Sequence, residues 1–394
     1  MASGRSRLLC PKLRHAASVT CGGATASARD HPQHQQRRCA WSTPSRSAAP
    51  SSLRLNHAIQ CAEKLTGHNT SRISEKLMNM GELHTFLGTV AKMMGSQHPI
   101  VDSVKQLLFQ QSANIQTRGL LVSLFIKACG TAERHADPPE VVLRRQQLVV
   151  NATEEFHAAQ TIHASARNVA TTERDRLDPL VLDDVQTGNK MTVLAGDYFF
   201  AKAFQTTTDI GIPVMLDVFG KAVEDYVRSY FESDLNAVPF VDAMWWEAKT
   251  HLKTASLLAS AYRAAAMVAG HQSELQDQVY QLGKHIALAF QTYHETRQFL
   301  DTPCSTGSNY DVTSLPVVLH METHPHMLAR LKESGMKNQQ FSKLQSEVLS
   351  GDALERAQVM LGYYIQEARL LARSLGPSDA AKSLVTIVGS LKEL

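Results

Sequence analysis

Gly188-Asn189-Lys190-Met191-Thr192-Val193-Leu194-Ala195-Gly196-Asp197-Tyr198-Phe199-Phe200-Ala201-Lys202-Ala203 is the run that decides how this chain folds. Ala195 and Gly196 are small, so a neighbouring helix can approach closely. Asp197 beside them reads either as a buried polar anchor or as a plain surface acid.

Helical spacing extends outward from this run, beginning near residue 55. Val214, Val218, Phe219, Ala222, Val223, Tyr226, Val227 and Tyr230 mark an apolar face at three- and four-residue steps. Leu354, Ala357, Leu361, Ile365, Ala368 and Leu371 mark another. Residues 246–269 and 274–299 read as two long helices parted near Gly270-His271. No stretch alternates in the manner of a strand, and no hairpin dipeptide lies between alternating apolar residues. The spacing predicts one all-α domain over 55–394, a large helical bundle.

Turn residues set the breaks. Asp137-Pro138-Pro139 ends one helix and starts the next. Asp178-Pro179 precedes a short loop running to Gly188, and Pro303 to Pro316 reads as a mobile loop. Gly376-Pro377-Ser378 sets off a terminal helix with Ser378 as its N-cap.

Charge is unevenly spread. Residues 1–50 hold eight Lys or Arg and one acid, Asp30, leaving the rest of the chain with a net charge of −4. A body of that sign has no general attraction for nucleic acid. The Arg-, Ser- and Ala-rich leader fits a mitochondrial transit peptide, cleaved between about 30 and 55, and places the protein in the matrix. The sequons at Asn69 and Asn151 then have no role. No run of about 18 uncharged apolar residues predicts a transmembrane segment. Cys61, Cys129 and Cys304 lie far apart without C-x-x-C spacing, so free thiols are predicted rather than zinc or disulfides.

Several stretches together resemble the trans-polyprenyl diphosphate synthases, of the isoprenoid synthase fold. The 188–203 run resembles the helix that follows the family's first aspartate motif. Gly283-Lys284-His285-Ile286-Ala287-Leu288-Ala289-Phe290-Gln291 resembles the approach to the second. Lys253-Thr254 is similar to a Lys-Thr pair whose lysine contacts the substrate diphosphate. Thr313-Ser314-Leu315-Pro316-Val317-Val318-Leu319-His320 is similar to a later segment where the family resumes helix. Trp246-Glu247 and Val317–His320 resemble a divergent branch of the family. The resemblance covers roughly residues 75 to 390.

What the resemblance implies is a reaction in which an allylic diphosphate ionises and isopentenyl diphosphate attacks the carbocation. Mg²⁺ neutralises the departing pyrophosphate and needs carboxylates facing each other across a cavity. Asp at i, i+1 and i+4 of a helix puts two carboxylates on one face. Here both motifs have lost their aspartates. The first falls on the helical stretch His163–Asn168, where Ala164, Ser165 and Asn168 occupy the acidic positions. In the second the positions are His294, Glu295 and Gln298, leaving one carboxylate. The family's basic grip on isopentenyl diphosphate corresponds to Ala113–Gly119, where only Arg118 remains a cation. Arg118, Lys190 and Lys253 are the candidate residual diphosphate contacts; Lys190 and Lys253 read equally as solvent-facing lysines.

Asp183-Asp184 is a decoy. It lacks a third acid at Thr187 and sits too close to Gly188, so helix N-terminal acids favoured by the dipole are the plainer reading. Ala159, five residues before Ala164, is compatible with long products, though alanine is common on any packed helix. His320, His324 and His326 do not have convincing metal spacing.

The resemblance thus implies a non-catalytic or regulatory subunit, with no catalytic residue and no cofactor of its own. Its partner would be a catalytic polyprenyl diphosphate synthase chain, carrying the Mg²⁺, in a mitochondrial heterotetramer that makes the ubiquinone side chain. The 214–231 helix is the candidate interface. The alternatives are a self-sufficient prenyltransferase using Asp183, Asp184 and Glu295, and a prenyl-lipid binding protein.

Overall fold

The computed structural model describes residues 51–68, 117–133, 135–166, 178–301, 310–334 and 338–392. Their regular structure is helical throughout, with no strand among them. In chain order the helices are α1 (Ser51–Thr66), α2 (Thr117–Cys129), α3 (Pro139–His163), α4 (Pro179–Asp209) and α5 (Val214–Glu232). Then come α6 (Ala243–Thr250), a π-helical turn (His251–Ala255), α7 (Ser256–Val268) and α8 (Ser273–Asp301). The order closes with α9 (Leu315–Thr323), α10 (His326–Ser334), α11 (Asn338–Ser350), α12 (Ala353–Ser374) and α13 (Asp379–Gly389). Residues 49–394 group as one unit by their internal contacts.

α7 lies at the centre. Its sequence, SLLASAYRAAAMV, is apolar nearly all round, as a helix enclosed on every side must be. Tyr262 is buried and stacks on Phe125 of α2 with ring centroids 4.3 Å apart. Its hydroxyl donates to Leu121 O at 3.1 Å, which removes the cost of burying it. α8 packs on α7 through Gly283, where a Cβ would stand 2.8 Å from the Ala259 Cα. α3 meets α4 at Gly196, whose missing side chain makes room for the His163 ring. The small residues of the 188–203 run therefore do admit a neighbouring helix. Asp197 is the surface acid of the two alternatives: it is mostly exposed and faces His163 Nε2 at 3.3 Å.

Two boundaries agree with the turn chemistry. Gly376 takes φ +102° and Ser378 caps α13, its side chain accepting from Ala381 N. Gly270, at φ +77°, parts α7 from α8. Three other expectations need correction. Residues 179–188 are helix, not loop: the Asp178 side chain accepts from Leu180 N and Pro179 sits in the first turn, which starts α4 there. Asp183 and Asp184 consequently lie in the second turn, and the acid at the helix start is Asp178. The α5 face is rotated: Met215, Phe219, Ala222 and Tyr226 are buried, whereas Val214, Val227 and Tyr230 are exposed. Finally, α2 stops at Cys129, followed by Gly130 at φ +66°, well before Asp137. No helix of the described residues is long and apolar enough to cross a membrane.

Candidate functional site

α3 ends at His163, so the described start of the first motif, Ala164 to Ala166, lies beyond that helix. Ala164 is the C-cap, its N–H bonding to Gln160 O. Ser165 turns inward: it is buried, and its hydroxyl donates to Ile162 O at 2.6 Å. The described part of the motif, Ala164 to Ala166, is therefore turn rather than helix. Asn168 lies outside the described residues.

The second motif sits within α8. His294 and Gln298 are exposed, whereas Glu295 is buried. Both oxygens of the Glu295 carboxylate are already engaged. Oε2 accepts the Trp246 indole N–H at 2.8 Å and the Leu315 backbone N–H at 2.7 Å. Oε1 accepts from the Gln291 amide at 2.8 Å. The Leu315 N–H opens α9, where Ser314 makes no side-chain cap. Glu295 thus satisfies an orphan donor at the α9 N-terminus, where the helix dipole favours an anion. Lys249, nearby, donates to Thr313 O at 2.6 Å and fixes the same segment. The surviving acid of the motif is a clasp between α6, α8 and α9.

Arg118, Thr254, Gln291 and His294 are brought together around a cavity of about 60 Å³. Leu121, Leu258, Ala287 and Phe290 complete its walls. Arg118 starts α2 and donates to Thr254 O at 3.2 Å. Burial lowers its pKa to about 10, because a charged guanidinium is costly away from water. Thr254 is presented by the π-helical turn, a distortion frequent at functional sites. Lys253, on the same turn, is half-buried and lines no part of this cavity. Lys190 is exposed on α4 and does not reach it. A wider groove of about 430 Å³ between α1, α2 and α3 holds none of the predicted residues.

The residues present do not fit the magnesium site that the family chemistry requires. One carboxylate with three donors on it has little lone-pair capacity left for an ion. Among the described residues, no group of three or more His, Cys, Asp or Glu could hold a metal.

Two participants go beyond the residues that sequence singles out. Gln291 stands one turn before Glu295, an i,i+4 pair that spacing alone could flag. His157 gives no such signal. Both its ring nitrogens are enclosed with no hydrogen-bond partner among the described residues. Burial, and then the charge of Arg118, hold its pKa well below the ordinary imidazole value.

A family model, polyprenyl synthetase, matches residues 102–348. All trans-polyprenyl-diphosphate synthase PDSS2 of Mus musculus is 28% identical over 349 residues, 84% of this chain and 86% of the relative. A probable mitochondrial hexaprenyl pyrophosphate synthase of Neurospora crassa is 23% identical over 381 residues, 84% of each. In three dimensions the chain is similar to the crystal structure of a decaprenyl diphosphate synthase from Rhodobacter capsulatus. The TM-score is 0.56 at 18% identity, covering 82% of this chain and 98% of that one.

Proposed function

This chain belongs to the polyprenyl synthetase family, and from that premise we propose that it is a non-catalytic subunit of a heteromeric trans-polyprenyl diphosphate synthase. A prenyltransferase-related role goes with the family. The finer reading rests on one observation: the single acid left in the second motif, Glu295, is spent on Trp246, Gln291 and Leu315. Each 1.4 kcal/mol of lost transition-state stabilisation is about tenfold in rate, and a missing ion clamp forfeits several kcal/mol. The Mg²⁺ chemistry accordingly falls to a partner chain with intact aspartate motifs. This chain supplies fold and surface to a heterotetramer whose product becomes the ubiquinone side chain.

In this reading residues 1–50 are a transit peptide, 55–394 are the synthase-like domain, and the protein works in the mitochondrial matrix. The Arg-rich leader and the mitochondrial Neurospora relative support that placement. In this reading Arg118, in the wall of the small cavity, is a candidate residual contact for a diphosphate.

The test is an assay of this chain alone, the partner alone, and both together, with Mg²⁺, farnesyl diphosphate and isopentenyl diphosphate. Activity that needs both chains is the expected result. Turnover by this chain alone would reject the reading. Tight binding of a long prenyl ligand without a partner would make it a carrier instead.

A further inference from the structure

The groove between α1, α2 and α3 is lined with hydrogen-bonding groups that the described fold leaves unspent. Its volume of about 430 Å³ is that of a small-molecule pocket. Glu154 of α3 stands at one end and is only 8% exposed. Gly119 of α2 makes room for it, since a Cβ there would overlap Glu154 Oε1. That oxygen accepts from His68 Nε2 at 2.9 Å, and the carboxylate has no other partner among the described residues. A carboxylate holding one hydrogen bond keeps most of its accepting capacity. Gln146 lines the groove at 6% exposure, and its amide has no partner among the described residues. Lys127, also in the lining, donates to Leu65 O at 2.7 Å, which leaves two of its three donors. Buried polar groups of this kind are ordinarily paired, so their unspent capacity points to a ligand.

The arrangement of these groups says what the ligand carries. α2 and α3 run antiparallel along the groove: on from Gly119 in α2 and back from Glu154 in α3, the same number of residues leads to Lys127 and Gln146. That step of eight residues is about 12 Å of helix. The groove is therefore acidic at one end, and cationic with an amide at the other. Ile126, Leu143 and Val150 make the wall between them apolar. A lone anion would meet Glu154, and a lone cation would meet Lys127. A molecule with an amine at one end, a carboxylate at the other and an alkyl chain between satisfies both. An amine about 8 Å from a carboxylate, with a hydrogen bond of about 2.8 Å at each end, spans the groove. We propose that this groove binds a linear amino-carboxylate of about that length, its amine on Glu154 and its carboxylate on Lys127 and Gln146. The family model, at residues 102–348, does not reach α1, so the match does not assign this site. The proposal does not rest on the heteromeric reading, since it holds whichever chain carries the catalysis.

Calorimetric titration of the full chain with 6-aminohexanoate tests it. The expected dissociation constant is below about 1 mM. Hexylamine and hexanoate each carry one end only and should bind at least about tenfold more weakly, because each lacks one charge-assisted contact. Lys127→Met removes the cation and Glu154→Gln the anion, and each should weaken 6-aminohexanoate by about tenfold or more. Lys127 is exposed, so its variant should unfold at the parent's temperature. Should Glu154→Gln unfold earlier than the parent, Lys127→Met and the one-ended probes decide the matter alone. No binding of 6-aminohexanoate up to about 10 mM would overturn the proposal. So would equal binding of hexylamine or hexanoate, or an affinity unchanged in Lys127→Met.

Discussion

At Glu295 a buried carboxylate ties three helices together, and its part can be tested by removing it. Glu295→Ala strands three donors, two of them in the core: the Trp246 indole, the Leu315 N–H and the Gln291 amide. An unsatisfied buried donor costs about 1–3 kcal/mol, so the variant should lose about 3 kcal/mol or more in urea unfolding. Glu295→Gln keeps an oxygen for Trp246 and Leu315, and Gln291 can present its own oxygen to the new amide. It should lose only about 1 kcal/mol, the difference between charged and neutral hydrogen bonds. Equal losses in the two variants would mean that charge, not hydrogen bonding, holds the clasp. A second expectation follows for the motif as a whole. His294→Asp with Gln298→Asp restores the acids on either side, yet Glu295 stays tied to α6 and α9. Calorimetric titration of that double variant should show no Mg²⁺ binding in the micromolar range.

Between helices, close approach is set by glycine, and the two glycines differ in what they face. At Gly283 the obstacle is backbone: a Cβ would lie 2.8 Å from the Ala259 Cα and 2.9 Å from the Leu258 carbonyl oxygen. Gly283→Ala must therefore push α8 off α7, at about 2–3 kcal/mol. At Gly196 the obstacle is the His163 ring, a side chain that ends α3 and can rotate away. Gly196→Ala should cost about 1 kcal/mol, chiefly because the displaced ring no longer packs between α3 and α4. The ranking is checked by unfolding both variants in urea. The same contrast explains which parts of the fold are readable in the sequence. Leu361, Ile365 and Ala368 announce the buried face of α12 because helix period and burial coincide there. Ala195 and Gly196 announce close packing because size alone decides it. On α5 two apolar stripes share one helix, so period alone turns Val227 and Tyr230 inward when they face out. Asp178-Pro179 reads like the start of a loop, yet an acid accepting from the second residue after it begins a helix. Glu295 stands out in the sequence as the one acid of its motif, but its partners Trp246 and Leu315 lie 49 and 20 residues away, beyond any local pattern.

For the whole molecule, the histidines predict how stability responds to acid. His157, His251, His285 and His320 all have pKa values below the ordinary 6.5, in each case chiefly because burial disfavours the imidazolium. Further charges adjust each one. Arg118 adds to the lowering at His157, and Lys284 does so at His251 and His285. The sign follows from proton counting. Below pH 6.5 the unfolded chain takes up protons on these rings that the folded chain refuses, so acid favours unfolding. The stability at stake is fully present above pH 6.5 and is lost as pH falls toward the folded values. An imidazole that stays neutral in the fold loses about 1.2 kcal/mol between pH 7 and 5.5. The urea midpoint should therefore fall across that window. Asp311, whose pKa is held below its usual value beside Lys249 and Lys253, protonates at lower pH and does not blur the effect. His157→Phe replaces the ring whose nitrogens have no partner among the described residues with one that needs none. That variant should be at least as stable as the parent at pH 7 and should flatten the acid response by about 1 kcal/mol. An unchanged slope would place a proton acceptor for His157 in the folded chain, and with it a polar contact to the imidazole that the described fold does not contain.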